Sequence, residues 1–152
     1  MRTVADVTVG LRLPERVETI TPERVVRYAG ASGDFNRLHW DPAFAAQVSP
    51  TGGVIAHGML TMGLVSAAVT DWAGGPAALA DLDVTFKAPC PVDARLHIGG
   101  EVLEVEAAVD AAPGDAGHRP SARATLAVWA QLEDGTVIVD RRRSRATVRL
   151  LP

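Results

Sequence analysis

One stretch of sequence decides the fold: GMLTMGLVSAAVTDW, residues 58–72. At helical spacing this stretch is apolar on nearly every side, and Gly74-Gly75-Pro76 ends it. A helix that is apolar all round is normally buried in a core, so we predict one long buried helix, roughly 22 Å long at about 1.5 Å per residue. A membrane-spanning helix needs about 20 apolar residues, and polar residues interrupt this stretch at Thr61, Ser66, Thr70 and Asp71. We therefore expect no membrane segment.

Two shorter helices are predicted upstream of this stretch. Thr21-Pro22-Glu23 combines a capping side chain, a proline suited to the first helical position and an acid near the positive end of the helix dipole. This helix should end near Ser32-Gly33. Asp41-Pro42 repeats the start signal for a helix over residues 42–48, which leaves residues 33–39 as a polar loop between two helices.

Downstream of residue 80, apolar and polar residues alternate with a period of two in four segments. Such one-faced alternation is typical of antiparallel strands that cover an apolar layer. Residues 133–136 predict a hairpin turn, and residues 111–120 a longer, mobile loop. The sequence therefore predicts an α+β fold, in which an antiparallel sheet wraps around one long buried helix. The alternating apolar positions are Leu82, Val84 and Phe86; Leu103, Val105, Ala107 and Val109; Ala122, Ala124, Leu126, Val128, Ala130 and Leu132; and Ala146, Val148 and Leu150.

Length, charge and cysteine content exclude several classes of protein. The chain has 152 residues, which fits one domain over residues 1–152. Its net charge of −3 argues against general nucleic-acid binding. The single cysteine, Cys90, cannot form an intrachain disulfide, and residues 1–6 do not resemble a signal peptide. We expect a soluble cytoplasmic protein.

Four polar residues lie within eight positions: Asp34, Asn36, His39 and Asp41. Histidine as a residue type exchanges protons near neutral pH, and a nearby carboxylate can orient it or share the proton transfer. The alternative is a solvated polar loop that merely caps two helices. For Asp41, which precedes Pro42, capping is the better explanation.

A glycine stands at the predicted start of the buried helix, in the segment Ile55-Ala56-His57-Gly58-Met59. Free backbone N–H groups at a helix start suit a carbonyl oxygen that gains negative charge, and glycine lets a ligand approach the backbone closely. The alternative is a glycine that only permits the turn, beside a packed His57 that satisfies a backbone group. One segment supplies acid and base, and the other an oxyanion donor.

These two segments resemble a known family. Residues 28–42, YAGASGDFNRLHWDP, are similar to the signature of MaoC-like, R-specific enoyl-thioester hydratases, and residues 55–63, IAHGMLTMG, to the start of their central helix. The similarity is closest to catalytic subunits of actinobacterial β-hydroxyacyl-acyl-carrier-protein dehydratases. It extends from about Thr21 to Phe86, and more loosely to the end of the chain. The Asp-x-Asn-x-x-His-x-Asp core is specific, the more so with His-Gly-Met downstream.

The resemblance implies a hot-dog fold, in agreement with the layout predicted from the residues. It also implies that Asp34 and His39 hold the water that is added or lost, that Asn36 and Ser32 orient them, and that the Gly58 N–H binds the thioester carbonyl. One departure is Arg37, where relatives usually carry proline. The resemblance further suggests substrate contacts at His57, Met59, Met62, Ser66 and Arg37.

The predicted function is therefore interconversion of 2-enoyl and (R)-3-hydroxyacyl thioesters, carried by coenzyme A or by an acyl-carrier protein. The alternatives are a hot-dog thioesterase, which usually lacks the Asp-x-Asn-x-x-His loop, and a non-catalytic partner subunit, which should have lost Asp34 or His39. We expect a dimer, of this chain with itself or with a related chain.

We expect no cofactor and no metal. His97 and His118 show no metal-ligand spacing, and Cys90 has no histidine partner that would make it a nucleophile. Alternation also predicts an arginine stripe on one face of the last strand. This stripe is either a solvated outer face or a docking site for coenzyme A phosphates or an acidic carrier protein. Its members are Arg141, Arg143, Arg145 and Arg149.

Overall fold

The three predicted helices form, and local signals set their ends. The structure, a computed structural model, describes residues 1–106 and 122–151. Helix α1 covers Pro22–Ser32, α2 covers Pro42–Val48 and α3 covers Gly58–Ala73. The Thr21 hydroxyl caps α1 by accepting the Arg24 N–H, and the left-handed Gly33 ends it at φ 74°.

Six strands form one antiparallel sheet in the described residues. They are β1 (Arg16–Thr19), β2 (Leu79–Asp83), β3 (Arg95–Glu106), β4 (Ala122–Leu132), β5 (Val137–Val139) and β6 (Arg145–Leu150). The spatial order is β1-β3-β4-β6-β2, and β5 pairs with β4. The predicted hairpin between β4 and β5 is confirmed: the Leu132 N–H donates to the Thr136 carbonyl, and Gly135 has a φ of 85°.

Helix α3 packs on the inner face of this sheet, and the predicted α+β layout is confirmed. It contacts β2, β3, β4 and β6. Its buried side chains pack in one core with the apolar positions predicted for β4 and β6. The face of α3 that carries Met59 and Gly63 remains exposed in the single chain. None of the described helices is long and apolar enough to cross a membrane.

Two strand predictions are wrong in detail. Leu103 does not share the inner face with Val105, because a β-bulge between Val102 and Glu104 leaves it unpaired and turns it outward. Phe86 does not belong to the strand of Leu82, because β2 ends at Asp83. Beyond that point the chain leaves β6, and Phe86 forms an isolated bridge with Val139 instead. Ala107, Val109 and residues 111–120 lie outside the described residues.

The predicted arginine stripe is also wrong. Strand β6 begins only at Arg145, because Asp140 accepts the Arg142 N–H and closes a turn before it. Arg141 and Arg143 therefore lie in or beside that turn. The guanidinium of Arg141 pairs with Glu101 at 2.7 Å and stacks on Trp129. Arg149 donates to the carbonyls of Ala77 and Leu79. The four side chains do not form one row.

Candidate active site

Asp34 is held by three hydrogen bonds that leave one carboxylate oxygen free. It follows the end of α1, where the Ser32 hydroxyl accepts the Asp34 N–H at 3.3 Å. Its Oδ1 accepts the Asn36 N–H at 3.2 Å, which closes a tight turn. Its carbonyl faces Nε2 of His57 at 3.0 Å. Oδ2 takes part in none of these bonds, so it is the oxygen available for chemistry.

His39 is carried by a short 3₁₀ helix, Arg37–His39, that Asn36 caps. The Asn36 Oδ1 accepts the Leu38 N–H at 3.0 Å, and its carbonyl accepts the His39 N–H. Nδ1 of His39 lies 2.8 Å from the Ile55 carbonyl. Because a carbonyl only accepts, Nδ1 carries the proton, and the neutral ring has its lone pair on Nε2. The side chains of Ser32 and Asn36 each accept a backbone N–H of this loop, and their orienting role stays a prediction.

Asp34 and His39 form a pair with room for one small molecule between them. Oδ2 of Asp34 and Nε2 of His39 are 4.0 Å apart. That separation is too long for a direct hydrogen bond, and it suits a water that donates to both at about 2.8 Å. The side chain of His39 is 11% exposed and that of Asp34 is 54% exposed. The pair therefore lies at a surface that a substrate can reach.

His57 completes a compact cluster with these two residues. Its ring stacks on His39 with centroids 3.8 Å apart, and its Nε2 is also 4.0 Å from Oδ2 of Asp34. The three side chains offer potential ligand atoms within 4.8 Å of one another. However, Nε2 of His57 faces the Asp34 carbonyl and so carries a proton, which removes this nitrogen as a metal ligand. The arrangement fits proton transfer better than metal binding.

Gly58 is the first residue of α3, as predicted. Within the described part of the chain its N–H has no hydrogen-bond acceptor. Gly58 and His39 line the same cavity, of about 350 Å³, together with Thr61, Phe86 and Cys90. Burial raises the pKa of the Cys90 thiol to about 11. His39 also borders a second cavity, of about 370 Å³, so it stands between two spaces that a substrate could occupy.

The other predicted substrate contacts do not gather at this cavity. Arg37 pairs with Asp41 at 2.7 Å and lies over the ring of Phe44. Met59, Met62 and Ser66 are on α3 but do not line either cavity that His39 borders. Sequence reasoning missed Phe86, whose ring would lie 3.4 Å from a Cβ placed on Gly58. No local signal placed Phe86 there, because it had been assigned to a regular strand.

A family model matches most of the chain. The model described as "MaoC like domain" covers residues 9–115, which include the Asp34 loop, His39 and the start of α3. The chain belongs to the MaoC-like domain family. The predicted resemblance is confirmed, and both residues predicted to transfer protons lie inside the matched segment.

A curated relative is also similar in sequence to this chain. A 3-hydroxybutyryl-CoA dehydratase of Methylorubrum extorquens is 36% identical over 101 residues, which are 66% of this chain and 63% of that protein. The chain spans less than two thirds of the length of the curated relatives it matches.

Solved structures support the fold independently. An (R)-hydratase from A. caviae has a TM-score of 0.74 and 28% identity, over 96% of this chain and 98% of that one. A chain of the ChsH1–ChsH2 complex from Mycobacterium tuberculosis has a TM-score of 0.68 and 26% identity, over 94% of this chain and 96% of that one. The hot-dog fold is confirmed.

Proposed function

We propose that this chain is a hydro-lyase that adds water to 2-enoyl thioesters and removes it from (R)-3-hydroxyacyl thioesters. One observation carries the proposal: the free Oδ2 of Asp34 and the free Nε2 of His39 lie 4.0 Å apart, and His39 lines a cavity together with Gly58, whose N–H is unpaired in the described residues. The hydratase and dehydratase named among the relatives support the same reaction class.

Hydration needs one proton removed from water and one delivered to C2 of the substrate. The hydroxyl of the water bonds to C3, and the electrons of the C2–C3 double bond take up the proton at C2. Asp34 and His39 together gain one proton from water and lose one proton to C2. A proton that then moves between the two side chains returns the pair to its starting state. A gap that one water can bridge allows that return.

The thioester carbonyl gains negative charge before C2 is protonated. A backbone N–H at a helix start is already oriented, and it favours such charge without reorganisation. Gly58 provides this donor, because its N–H is unpaired and it shares a cavity with His39. The Phe86 ring lies beside Gly58, 3.4 Å from the position that a Cβ would take, and lines the same cavity.

An assay with crotonyl-CoA tests the proposal directly. Loss of the enoyl-thioester absorbance without thiol release is the expected result. Release of free thiol would instead indicate a hot-dog thioesterase. No reaction, either alone or mixed with a related chain, would indicate a non-catalytic subunit and overturn the proposal. Repeating the assay with crotonyl-acyl-carrier protein compares the two carriers, through kcat/KM for each.

We also propose that the active unit is a dimer, of this chain with itself or with a related MaoC-like chain. Large apolar side chains next to the site are exposed in the single chain, namely Phe35, Trp40, Met59 and Phe86. Exposed apolar patches of this kind mark interaction surfaces. The ChsH1–ChsH2 complex is a relative whose name records two different subunits.

A further inference from the structure

His57 has contacts that a substrate-binding residue would not need. Its ring is 3% exposed, stacks on His39 at 3.8 Å between centroids, and packs against Tyr28 at 5.0 Å. It does not line either cavity bordered by His39. Its Nε2 lies 3.0 Å from the carbonyl of Asp34, 23 residues earlier in the chain. The ring therefore contacts both members of the proton-transfer pair and is closed off from bulk solvent.

The hydrogen bond to Asp34 decides where the proton of His57 resides. A carbonyl oxygen only accepts, so Nε2 must donate and the neutral ring has its lone pair on Nδ1. That Nδ1 is buried and has no partner in the described residues. Leaving a buried nitrogen unpaired is unfavourable, so stability alone is a poor explanation for histidine at this position.

The backbone of His57 also fixes the start of helix α3. His57 is the N-cap of α3, and its carbonyl accepts the N–H groups of Leu60 and Thr61. The next residue is Gly58, whose free N–H is the proposed carbonyl donor. One residue thus joins the two halves of the site: its side chain holds the Asp34 loop, and its main chain holds the helix start.

We propose that His57 is a positioning residue, which fixes the Asp34 carboxylate relative to His39 and to the Gly58 N–H by donating from Nε2 to the Asp34 carbonyl. This inference rests on the proposed hydratase function. His57 does not touch the substrate. It keeps Oδ2 at the distance from His39 that one water can bridge. Among the described residues, the hydrogen bonds that would then remain at Asp34 are the local ones to Ser32 and Asn36.

Three substitutions distinguish the contribution of the Nε2 donor from that of the ring's shape. His57→Phe keeps the shape of the ring and removes the donor. His57→Gln replaces Nε2 with an amide nitrogen at a similar reach, whereas the amide of His57→Asn reaches only as far as Nδ1. We expect His57→Phe and His57→Asn to lower kcat for crotonyl-CoA hydration by about 100-fold, the loss that a misplacement of about 1 Å can cause. KM should change little, and His57→Gln should recover most of the lost kcat.

Thermal unfolding of each variant separates positioning from stability. His57→Phe should unfold near the wild-type temperature, since it removes an unpaired buried nitrogen together with the bond. If His57→Phe does not fold, the positioning role is tested by comparing kcat between His57→Gln and His57→Asn. Equal kcat for those two variants, or a folded His57→Phe with wild-type kcat, would overturn the positioning role.

The hydrogen bond from His57 to Asp34 can also be tested by a measurement that does not depend on activity. The ¹⁵N chemical shifts of the imidazole rings in labelled protein should place the single proton of His57 on Nε2. A proton on Nδ1 would overturn the bond to Asp34 whatever the activity. Inactive wild-type protein would overturn the hydratase proposal instead, and the ¹⁵N result would then decide on the contact alone.

Discussion

The two carboxylate oxygens of Asp34 have different roles, and a single substitution can separate them. Oδ1 accepts the Asn36 N–H and shapes the turn, whereas Oδ2 faces His39. Asp34→Asn keeps an acceptor for the turn and removes the ionisable group. We expect kcat for crotonyl-CoA to fall by about 10²–10⁴-fold, the usual value of a placed proton-transfer group. His39→Ala should cause a loss of similar size.

A matched control exists for Asp34→Asn. Asp134 forms the same kind of turn in the β4–β5 hairpin, where its Oδ1 accepts the Thr136 N–H at 2.8 Å. Asp134→Asn should leave kcat unchanged, because this carboxylate borders neither cavity next to His39. Near-normal turnover in Asp34→Asn or in His39→Ala would refute the assignment of the pair.

The role of the Gly58 N–H can be tested by removing that one hydrogen. Proline is favoured at the first helical position, and His57 already has the extended backbone, φ −60° and ψ 136°, that a residue before proline prefers. Gly58→Pro should therefore fold and lower kcat by about 10²–10³-fold, as loss of one oxyanion donor does. The steady-state rate with crotonyl-CoA measures this.

Gly58→Ala is the control for added bulk. Its Cβ would lie 3.4 Å from the Phe86 ring, an ordinary van der Waals contact, and its N–H remains. It should retain far more activity than Gly58→Pro. If alanine and proline reduce kcat equally, the effect is steric and the N–H is not the carbonyl donor.

Cys90 lines the candidate cavity but should not react at ordinary pH. Burial disfavours the thiolate and raises the pKa of Cys90 to about 11, so below that pH the folded protein holds the neutral thiol. Iodoacetamide at pH 8 should label Cys90 slowly in the folded protein and rapidly after unfolding in urea, as followed by mass spectrometry. Rapid labelling of the folded protein would show that the thiol is more accessible or more acidic than its burial implies.

At the scale of elements, Asp41 caps helix α2, and we expect it to take no part in the chemistry. The Phe44 N–H, and then the Arg37 guanidinium, hold the pKa of Asp41 below its ordinary value. Because the folded-state pKa is lowered, the stabilisation is present above the ordinary pKa and is lost as pH falls through the folded-state value. Asp41→Ala should therefore lower the Tm at pH 7, and the difference from wild type should shrink toward pH 2.

Asp41→Asn is the matched control, since asparagine also caps helices. It should lose less stability at pH 7 than Asp41→Ala and retain hydratase activity. A large loss of kcat in Asp41→Asn without a change in Tm would instead give Asp41 a role in the chemistry.

The helix ends could be predicted from sequence because the signals are local. Thr21, Asp41 and Gly33 act on residues no more than four positions away. The outward turn of Leu103 could not be predicted, because the bulge exists only through pairing with β4. The arginine stripe failed for a related reason: alternation was extended through a turn that Asp140 closes.

The candidate site likewise combines features that local sequence predicts with features that depend on distant contacts. Asp34, His39 and Gly58 could be proposed as site residues from two short motifs, since each motif carries its own chemistry. A packed His57 that satisfies a backbone group could be foreseen as an alternative, but its partner could not, because the bond joins His57 to a residue 23 positions earlier. Phe86 reaches Gly58 only because the chain after β2 crosses to Val139. Contacts between distant segments need the fold.

At the scale of the whole molecule, the candidate site is open on one side. The side chains of Phe35 and Met59 are 63% and 58% exposed, and each adjoins a proposed catalytic residue. Water would have free access to a thioester held there. A second subunit that covers this surface would bury the apolar side chains and exclude water from the carbonyl site, which strengthens its electrostatic interactions.

The mass of the chain in solution tests whether a second subunit covers this surface. Light scattering of the lone chain should give twice its 16.0 kDa mass, or a monomer that is inactive until a related MaoC-like chain is added. Met59→Ser should weaken the association, so that the mass falls on dilution, because it removes buried apolar contact. Val9→Ser is the control: Val9 is 66% exposed but lies in the N-terminal segment and borders neither cavity next to His39. It should leave the mass unchanged. A stable monomer with full turnover would refute the dimer, and the exposed side chains near the site would then need a cover from within the chain or from the substrate itself.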